Sequence, residues 1–568
     1  MKPIFLHQRD AKVTFFRSIY AIAFAGIFSL YLPGTVQAQV LFEQTAPKRY
    51  YIEFTDKNNN PFSLSNPGAF LSEKAIARRN NQGISLSEND LPVTPSYLDS
   101  IRAAGATVLN VSKWFNAVTI IAESDTLLSR IARFSFVKKI PASKSVLPPV
   151  ISHSGGIQVI DTTSEFDYGV SGWQTAIHNG DVLHSLGYTG KGITIAQLDA
   201  GYYHVDRLPA FSSMWQNNQI LGTRDFVIPG SSPFEGHPHG MVVLSIMAGN
   251  LPGELIGSAP DASFWLLRSE DTGSEYPIEE DNWASAAEFA DSAGADVINS
   301  SLGYSQFDDD SMNLTYADMD GNTARITRAA DIASSKGMVV VTSAGNLGAS
   351  NWHYISAPAD ADSVLAVGAI DANGNIAGFS SRGPTADLRI KPDVVGVGKG
   401  TWMADFTSGI RQGNGTSLSA PIITGLVACL WQANRSATSR QIVNAVKESS
   451  DRFSQPDNDY GYGIPDFSLA HVLLTHEEPG SPLQGKLFVY PNPFRSELYL
   501  VFPAPVDDEV DVTLFDLTGK EVFHSIIPAF PGRNYINIDF DNTSLSTGVY
   551  ILKTVTGGRN DVSKIIRF

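Results

Sequence analysis

The chain has 568 residues and a formal net charge of −17, with 43% hydrophobic and 17% charged residues. Because this length exceeds what one compact core holds, we expect several domains, and the ordinary composition argues against disorder or a coiled coil. The negative charge argues against nucleic acids and anionic membranes as partners, since both require basic surface. Cys429 is the single cysteine, so no intrachain disulfide can form, and we expect it to be a small buried side chain.

The amino-terminal segment has the layout of a secretory signal peptide. Basic residues precede an apolar run over residues 19–32, which Pro33 and Gly34 close before the small residue Ala38. A membrane anchor is the alternative, but the run is shorter than the roughly 20 residues that span a bilayer. We therefore predict a signal peptide at residues 1–38, export through the periplasm, and a final location outside the cell or on its surface.

A small mixed module follows the signal peptide over residues 39–140. Its predicted elements are strands at residues 49–54 and 117–122 and a helix at residues 96–104. From Pro141 to about residue 161 the chain is rich in serine, proline and glycine, which predicts an exposed, cleavable linker. We assign residues 141–166 to this linker and processing region, so the α+β module before it fits a removable pro-segment.

The central region, residues 167–474, alternates short β-branched runs with longer helical patterns. The predicted strands are residues 193–198, 296–299, 338–341 and 364–367, and the predicted helices are residues 283–292 and 323–336. Short apolar runs bounded by glycine or polar turns are typical of buried parallel strands. The alternation predicts an α/β domain with right-handed crossovers and a mostly parallel sheet.

Beyond a second predicted linker at residues 475–486, helical periodicity disappears. The predicted strands are residues 488–490, 497–502, 510–515, 536–540 and 549–553, with a hairpin turn at residues 517–520. Short strands at close spacing predict a separate, small all-β sandwich over residues 487–568.

Several polar side chains stand at the ends of predicted central elements, where an open α/β sheet commonly has its functional site. Asp199 follows the strand at residues 193–198, and His239 precedes an apolar helix. His237 competes with His239, but its position in a loop favours a solvated or supporting role. Each of these residues alone could simply cap a turn or a helix.

Ser417 opens an apolar helix shortly after Gly415, which allows close backbone approach. The free N–H groups and the positive end of the helix dipole would face a developing oxyanion there. We expect Pro421 to lie early enough in the helix for its missing N–H to be harmless, and the Ser419 hydroxyl to bond to the backbone within the first turn. Helix capping is the structural alternative for Ser417.

Asn346 ends another predicted strand, and Gly345 before it lets the backbone turn tightly. An amide at this place can donate a hydrogen bond to developing negative charge. The loss of one such donor typically costs about 100- to 1000-fold in turnover. An asparagine-capped turn is the alternative.

The chain order of these candidates narrows the alternatives. A hydroxyl nucleophile needs an imidazole that takes and returns its proton and a carboxylate that fixes the imidazole tautomer. The order here is Asp, His, Ser, as in subtilisins, whereas chymotrypsin-like enzymes run His, Asp, Ser and α/β-hydrolases run Ser, Asp/Glu, His. The sequence motifs around the candidates are Leu198-Asp199-Ala200-Gly201, His239-Gly240, Ser343-Ala344-Gly345-Asn346 and Gly415-Thr416-Ser417-Leu418-Ser419-Ala420-Pro421. With these motifs, roughly residues 190–465 resemble the subtilisin-like serine endopeptidases.

The resemblance implies a subtilisin-like α/β fold, with helices on both faces of the sheet, and an enzyme that hydrolyses peptide bonds through an acyl-enzyme intermediate. Asp199 would orient the base, and His239 would act as general base and then as general acid. Ser417 would attack the peptide carbonyl, and Asn346 would line the oxyanion hole.

The resemblance also implies how a peptide would bind. One wall of the first specificity pocket would consist of Ser301, Leu302 and Gly303, beside a backbone that pairs with an extended polypeptide substrate. We expect a monomer without a catalytic metal or other cofactor.

Two positions depart from the family's common pattern. Ala200 stands where a serine or threonine is usual, and Met241 stands where a threonine is usual. Neither residue transfers a proton, but a catalytically weak or inactive surface binding protein of this fold remains the alternative function. Serine-carboxyl peptidases share the fold but use Glu and Asp at the positions of His239 and Asn346, so these two residues argue against them.

The flanking domains carry resemblances of their own. Residues 39–140 look like the pro-domains that act as intramolecular chaperones and inhibitors of such enzymes. Residues 487–568 resemble the carboxy-terminal sorting domain that the type IX secretion machinery of Bacteroidetes recognises. The opening Tyr490-Pro491-Asn492-Pro493 and the basic and apolar pattern at residues 564–568 carry this second resemblance. A fibronectin-like binding sandwich, as in an adhesive protein, is the alternative.

An acidic loop contains Asp308, Asp309 and Asp310, with Asp318 and Asp320 close behind. Clustered carboxylates can bind calcium. Because the spacing does not complete a calcium-loop motif, we expect a solvated loop, with calcium as the alternative.

Overall fold

The computed structural model describes residues 48–140, 166–475 and most of 488–567. Within the last range it leaves out residues 491–493, 495–496, 505–507, 530–531, 541–544 and 557–558. The predicted signal peptide, nearly all of both predicted linkers and part of the motif at residues 490–494 lie outside the described residues.

The amino-terminal module is an α+β fold, as predicted. Its elements are β1 (Lys48–Phe54), α1 (Glu73–Asn81), α2 (Pro95–Ala103), β2 (Thr107–Ser112), β3 (Ala117–Ala122), α3 (Asp125–Ile131) and β4 (Val137–Lys139). The strands form an antiparallel sheet in the order β2-β3-β1-β4. Ile52, Ile101 and Ile120 are buried in the core of this module. Helix α2 begins at Pro95 because a proline at the first helical position loses no hydrogen bond.

The central domain contains most of the helices of the described chain. They are α4 (Gly172–Ala176), α5 (Gly180–Ser185), α6 (Ser212–Gln216), α7 (His239–Ala248), α8 (Ile278–Ala293), α9 (Arg325–Ser335), α10 (Thr416–Ala433), α11 (Ser439–Glu448) and α12 (Phe467–Thr475). Its strands are β5 (Thr194–Asp199), β6 (Ile220–Asp225), β7 (Asn250–Leu251), β8 (Leu255–Ile256), β9 (Ser263–Arg268), β10 (Val297–Ser300), β11 (Val339–Ser343), β12 (Leu365–Ile370), β13 (Val394–Val397), β14 (Lys399–Ala404) and β15 (Ile410–Asn414).

Seven of these strands form one sheet in the order β13-β12-β11-β10-β5-β9-β6, and every neighbouring pair is parallel. The predicted parallel sheet is therefore confirmed, and each predicted strand begins one residue later than its sequence pattern. The sequence patterns miss β6, β9 and β13. Strand β6 lies at the edge of the sheet and is largely exposed, so it lacks the apolar run of a central strand.

Helix α10 is the central helix of this domain and packs against β10 to β13 and α7. Among the described residues it is the one helix long and apolar enough to cross a bilayer, yet 83% of it is buried inside the fold. Its apolar length fills the core, and Cys429 lies within it, fully buried as expected.

The carboxy-terminal domain consists of two small antiparallel sheets. Its strands are β16 (Phe488–Tyr490), β17 (Glu497–Ala504), β18 (Asp508–Asp516), β19 (Glu521–Ala529), β20 (Gly532–Asp539), β21 (Gly548–Thr556) and β22 (Arg559–Arg567). They pair as β16-β17-β20 and as β19-β18-β21-β22, around a core that includes Phe494 and Phe540. The all-β prediction is confirmed. The sequence patterns miss β19 and β22, because both strands expose many polar side chains.

The amino-terminal module packs its sheet and α1 against helix α8 of the central domain. Glu288 of α8 accepts hydrogen bonds from the Ser112 hydroxyl at 2.6 Å and from the Lys113 backbone N–H at 2.6 Å. Asp291, one turn later, contacts three cationic side chains of the module, those of Arg78, Arg79 and Lys113. These polar and charged contacts join the two domains, together with Trp114 of the module, which is buried in an apolar core of the central domain.

Candidate active site

Asp199 and His239 come together where β5 ends and α7 begins. His239 Nδ1 lies 2.6 Å from Asp199 Oδ1; the histidine side chain is 30% exposed and the aspartate is fully buried. Because a carboxylate only accepts hydrogen bonds, Nδ1 carries the proton and Nε2 is left as the basic nitrogen of the neutral ring. The sequence placed Asp199 after its strand, whereas it is the last residue of β5.

The electrostatic surroundings favour a protonated His239. Burial, the largest single effect, lowers the pKa of His239, but the charge and hydrogen bond of Asp199 together with the charge of Glu270 outweigh it, so the pKa lies above the ordinary value. An imidazole held in this way takes up a proton readily at its free nitrogen.

Gly240 allows α7 to start directly on top of the Asp199 carboxylate. A methyl group added at Gly240 would lie 2.9 Å from Asp199 Cβ and would collide with the Gly201 carbonyl. The two glycines that follow Asp199 and His239 in the sequence motifs are therefore needed for close approach.

Ser417 is the second residue of α10 and remains partly exposed. The preceding Gly415 has a φ of +152°, and a methyl group at this position would lie 2.9 Å from Ser417 Oγ. Among the residues that the structure describes, the Ser417 hydroxyl has no hydrogen-bond partner. A hydroxyl is thus left accessible at the positive end of a helix.

The Asn346 amide is oriented by a neighbour of Ser417. Asn346 Oδ1 accepts hydrogen bonds from the Thr416 N–H at 2.8 Å and from the Thr416 hydroxyl at 3.1 Å. With Oδ1 occupied, Nδ2 is the group left to donate. Asn346 Nδ2 and Ser417 Oγ both lie beside Gly415, at 3.8 Å and 2.9 Å from a methyl group added there. The arrangement offers a hydrogen-bond donor next to the hydroxyl.

Thr416 therefore belongs to the site, although the sequence analysis did not single it out. Besides orienting Asn346, its hydroxyl oxygen accepts a hydrogen bond from the Gly345 N–H at 3.2 Å. The signal was present in the sequence, since a second hydroxyl residue directly precedes Ser417.

The expected position of Pro421 is wrong. Pro421 is the sixth residue of α10, beyond the first turn, so the Ser417 carbonyl lacks the N–H that a helix would normally supply. The Ser301 hydroxyl donates to that carbonyl instead, at 3.0 Å. The proline thus leaves the Ser417 carbonyl without its donor in the helix, and Ser301, just after β10, supplies one.

The predicted wall segment lies beside the site, immediately after β10. Leu302 is buried in the domain core, so the face that remains is the backbone with Gly303. A methyl group at Gly303 would lie 3.2 Å from Ser356 Cβ, and one at Gly345 would lie 3.1 Å from Ser356 Oγ. Ser356, which is 3% exposed, therefore lies between two glycine segments that face each other.

Two other residues behave as the sequence suggested. His237 is exposed, and its Nδ1 accepts the His239 N–H at 3.3 Å, so it supports the start of α7. Ser419 is buried, and its hydroxyl donates to the Thr416 carbonyl at 2.9 Å. Of the two departures from the family pattern, Met241 packs in the core, and the Ala200 N–H donates to Asp199 Oδ1 at 2.7 Å.

An acidic cluster near the site was not anticipated. One carboxylate oxygen from each of Glu270, Glu275 and Glu279 lies within 4.8 Å of the others. Burial and mutual repulsion raise the pKa of Glu275 to about 8 and that of Glu279 to about 12. Three oxygens at this spacing can hold a cation or can share protons.

The carboxylates of the acidic loop that suggested calcium form local hydrogen bonds. Asp309 accepts hydrogen bonds from the Ser311 N–H and hydroxyl, and Asp318 accepts them from the Thr315 N–H and hydroxyl. Asp320 likewise accepts the N–H groups of Asn322 and Thr323. These carboxylates cap turns, which is the structural role expected for a solvated loop.

Comparison with known families matches three parts of the chain. A model of the subtilase family matches residues 190–463, and a model of the peptidase S8 propeptide domain of Bacteroidota matches residues 49–154. A model of the secretion system C-terminal sorting domain matches residues 488–567.

Similar curated proteins include several bacterial proteases. Subtilisin DY of Bacillus licheniformis is 30% identical over 276 residues, which cover 48% of this chain and 88% of that protein. Serine protease AprX of Bacillus subtilis (strain 168) is 27% identical, with 54% of this chain and 70% of that protein covered. An alkaline protease of Alkalihalobacillus alcalophilus is 29% identical, with 56% and 73% covered.

The parallel sheet, the propeptide module and the terminal antiparallel sheets agree with these matches. Together they show that the chain belongs to the subtilase family and is a subtilisin-like serine peptidase with a propeptide domain before it and a secretion sorting domain after it.

Proposed function

We propose that the protein is a secreted endopeptidase in which Asp199, His239 and Ser417 form the catalytic triad. The observation that carries the proposal is the 2.6 Å contact between His239 Nδ1 and the buried Asp199 carboxylate. The accessible Ser417 hydroxyl at the start of α10 supports it, since a helix N-terminus stabilises negative charge.

In this mechanism Ser417 Oγ attacks the carbonyl carbon of the scissile peptide bond while His239 Nε2 takes the hydroxyl proton. Asp199 stabilises the imidazolium that forms. Asn346 Nδ2 and the free N–H groups of α10 donate to the oxyanion of the tetrahedral intermediate. As the C–N bond breaks, His239 returns the proton to the leaving amine, and an acyl-enzyme remains on Ser417.

The second half of the reaction repeats these roles with water. His239 removes a proton from a water molecule that attacks the acyl carbon, and the proton then returns to Ser417 Oγ as the ester bond breaks. The products are two peptides, and no cofactor is required by any step.

The substrate is a polypeptide in extended conformation. The backbone of residues 301–303 would pair with it, and the side chain before the cleaved bond would enter between Gly303 and Gly345. Ser356 lies in this space, so it limits the depth of the pocket.

The domain limits proposed from the sequence give each flanking part a role. Residues 39–140 serve as intramolecular chaperone and inhibitor, and cleavage within residues 141–166 releases the peptidase domain at residues 167–474. A signal peptide at residues 1–38 directs the chain to the periplasm, and residues 487–568 direct it through the type IX secretion machinery. The released enzyme acts as a monomer, with no nucleic acid among its partners.

Replacement of the nucleophile tests the proposal. Ser417→Ala should abolish cleavage of labelled casein and reaction with a serine-directed organophosphorus reagent, because both require the hydroxyl. Ser335→Ala is the matched control, since this exposed serine lies at the end of α9, away from the site. Casein cleavage and labelling that survive in Ser417→Ala would contradict the assignment.

The alternative is a catalytically weak or inactive binding protein of the same fold, which Ala200 and Met241 suggested. The hydrogen bond from the Ala200 N–H to Asp199 favours the enzyme, because the carboxylate keeps a local donor without a hydroxyl at residue 200. A processed wild-type protein that cleaves neither casein nor its own pro-domain at any pH would favour the binding protein.

A further inference from the structure

Gln197 is a polar residue in the middle of a fully buried strand. It lies in β5, two residues before Asp199, and is 0% exposed. Its neighbours along the strand, Ala196 and Leu198, are apolar, and a buried amide is costly unless it forms hydrogen bonds. The contacts of this side chain therefore need an explanation.

The Gln197 amide bridges the two elements that carry Asp199 and His239. Its Nε2 donates to the Gly240 carbonyl at 2.8 Å and to Asp199 Oδ2 at 3.4 Å. Both neighbours are acceptors, so only the orientation with Nε2 towards them fits. The amide oxygen is buried without a hydrogen-bond partner among the described residues. The Gln197 side chain therefore leaves its own oxygen without a hydrogen bond while its Nε2 contacts Gly240 and Asp199.

The two oxygens of Asp199 have different partners. Oδ1 accepts from His239 Nδ1 at 2.6 Å and from the Ala200 N–H at 2.7 Å. For Oδ2, Gln197 is the partner that the described part of the chain provides. Because Ala200 has no hydroxyl, a donor to the second oxygen comes from the strand before Asp199 and not from the residue after it.

We propose that Gln197 is a positioning residue that fixes the Asp199 carboxylate against the start of α7. This proposal rests on the proposed roles of Asp199 and His239. Gln197 does two things: it prevents rotation of the carboxylate, and it withdraws negative charge from the oxygen that does not face His239. Both effects act on catalysis through Asp199 and not through the substrate.

The test compares Gln197→Met with wild type in processed enzyme, on a quenched fluorescent peptide chosen from the casein cleavage sites. Methionine has a similar length and no donor. We expect kcat to fall about tenfold with KM unchanged, since one hydrogen bond to a charged group is lost. The acid limb of the kcat/KM profile should move up by about 0.3 pH units or more, because Asp199 then holds more charge against the His239 imidazolium.

Gln219→Met is the matched control. Gln219 is also a buried glutamine beside the sheet, and its Nε2 donates to the carbonyls of Pro260 and Ala262, away from the site. It should lose stability without a change in kcat or in the acid limb. If Gln197→Met fails to fold, Gln197→Asn retracts the same amide by one carbon and should show the same kinetic changes.

The outcomes separate this inference from the proposed function. A Gln197 variant whose kcat and acid limb match those of Gln219→Met overturns the positioning role. If Ser417→Ala is inactive in the same experiments, the proposed triad is still supported. If Ser417→Ala cleaves the peptide as wild type does, the proposed function fails first.

Discussion

Asp199 and Asp291 are both fully buried carboxylates, yet their partners differ in kind. Asp199 faces one imidazole and two neutral donors, whereas Asp291 faces the permanent cations of Arg78, Arg79 and Lys113. A carboxylate whose partner is an imidazole can stabilise a charge that comes and goes during a reaction. A carboxylate that is paired with permanent cations of another domain contributes instead to the attachment of that domain.

The difference distinguishes the central domain, which we propose performs the chemistry, from the amino-terminal module, which we propose inhibits it. The three cations that form ion pairs with Asp291 all belong to the amino-terminal module, so departure of that module would leave the carboxylate without these partners. The partners of Asp199 all belong to the central domain and stay. The following predictions are ordered by the size of the expected effect, and each tests one side of this contrast.

Replacement of the proton carrier should have the largest effect. His239→Ala should lower kcat on a cleavable peptide by about ten-thousandfold, because no group then accepts the Ser417 proton. Mature enzyme can be used if the variant is processed in trans by wild type. The control is His237→Ala, which removes only the acceptor for the His239 N–H and should cost far less. Equal losses in the two variants would argue that histidine supports the loop rather than the reaction.

Loss of the amide donor should rank next. Asn346→Ala should lower kcat by about 100- to 1000-fold while KM stays within about twofold, since the donor acts on the oxyanion and not on the bound peptide. Asn351→Ala, at an exposed position in the following loop, is the control. A large rise in KM with normal kcat would place Asn346 in substrate binding instead.

Neutralising the carboxylate of α8 should affect inhibition and leave catalysis alone. Asp291→Asn should weaken inhibition of the mature enzyme by added residues 39–140 at least about thirtyfold, because three buried cations then lose an ion pair, and only Arg79 keeps a second one, with Asp90. The inhibition constant is the measurement. Arg102→Ala, an exposed pro-domain cation paired with Asp99, should leave that constant unchanged. An unchanged constant in Asp291→Asn would show that the remaining contacts, such as those of Glu288, hold the domains together without the charge of Asp291.

Inhibition by the pro-domain should also depend on pH, because α8 carries a second buried carboxyl group, that of Glu288. Burial raises the pKa of Glu288 to about 7, against the opposing effects of Lys113 and the hydrogen bonds that it accepts. A carboxyl with a raised pKa in the complex binds a proton on association, so the affinity should fall as the pH rises towards and through 7. We expect roughly a tenfold weaker inhibition constant at pH 7.5 than at pH 5.5, and Glu288→Gln should flatten this dependence.

The kcat/KM of the processed enzyme should also depend on pH and should rise as the pro-domain affinity falls. The raised pKa of His239 means that the ring is protonated at a pH where an ordinary histidine is neutral, so kcat/KM should rise with pH through that pKa. At low pH the pro-domain is bound and His239 is protonated, and both states oppose cleavage. A pH–rate profile of processed enzyme, recorded without added pro-domain, isolates the histidine. An acid limb below the ordinary histidine range would contradict the role assigned to Asp199.

Much of the site could be predicted from the sequence, because its central residues carry local signals. Asp199, His239, Ser417 and Asn346 each stand beside a glycine or at the end of a regular element, and their order along the chain is informative. The structure brings Asp199 to His239 and Asn346 to Ser417, as the resemblance implied. Their catalytic roles stay predictions until the variants are measured.

The residues that sequence reasoning missed act across long distances in the chain. Gln197 reads as one polar residue within an apolar strand, and its meaning depends on the Gly240 carbonyl. The acidic cluster around Glu270 needs Tyr304, whose hydroxyl donates to the Glu270 carboxylate, and no spacing along the chain shows this contact. Local patterns report elements and turns, whereas burial and partner identity arise only when the elements pack.

The same limit applied to the fold. The buried strands β5, β10, β11 and β12 carry apolar runs that the sequence shows, while the exposed edge strand β6 has no such run and the buried β13 is four residues long and contains Gly396. Pro421 was placed too early in its helix, since the sequence does not show where the first turn of α10 begins.

Pro421 has a consequence for any attempt to change what the enzyme cleaves. Ser301, which we propose lines the substrate groove, also holds the backbone of the proposed nucleophile through its hydrogen bond to the Ser417 carbonyl. The Ser301 hydroxyl would therefore affect both the cleavage preference and the turnover rate. A substitution at residue 301 made to alter the cleavage preference will also release the attacking residue, and altered preference should come with slower turnover until another donor reaches that carbonyl.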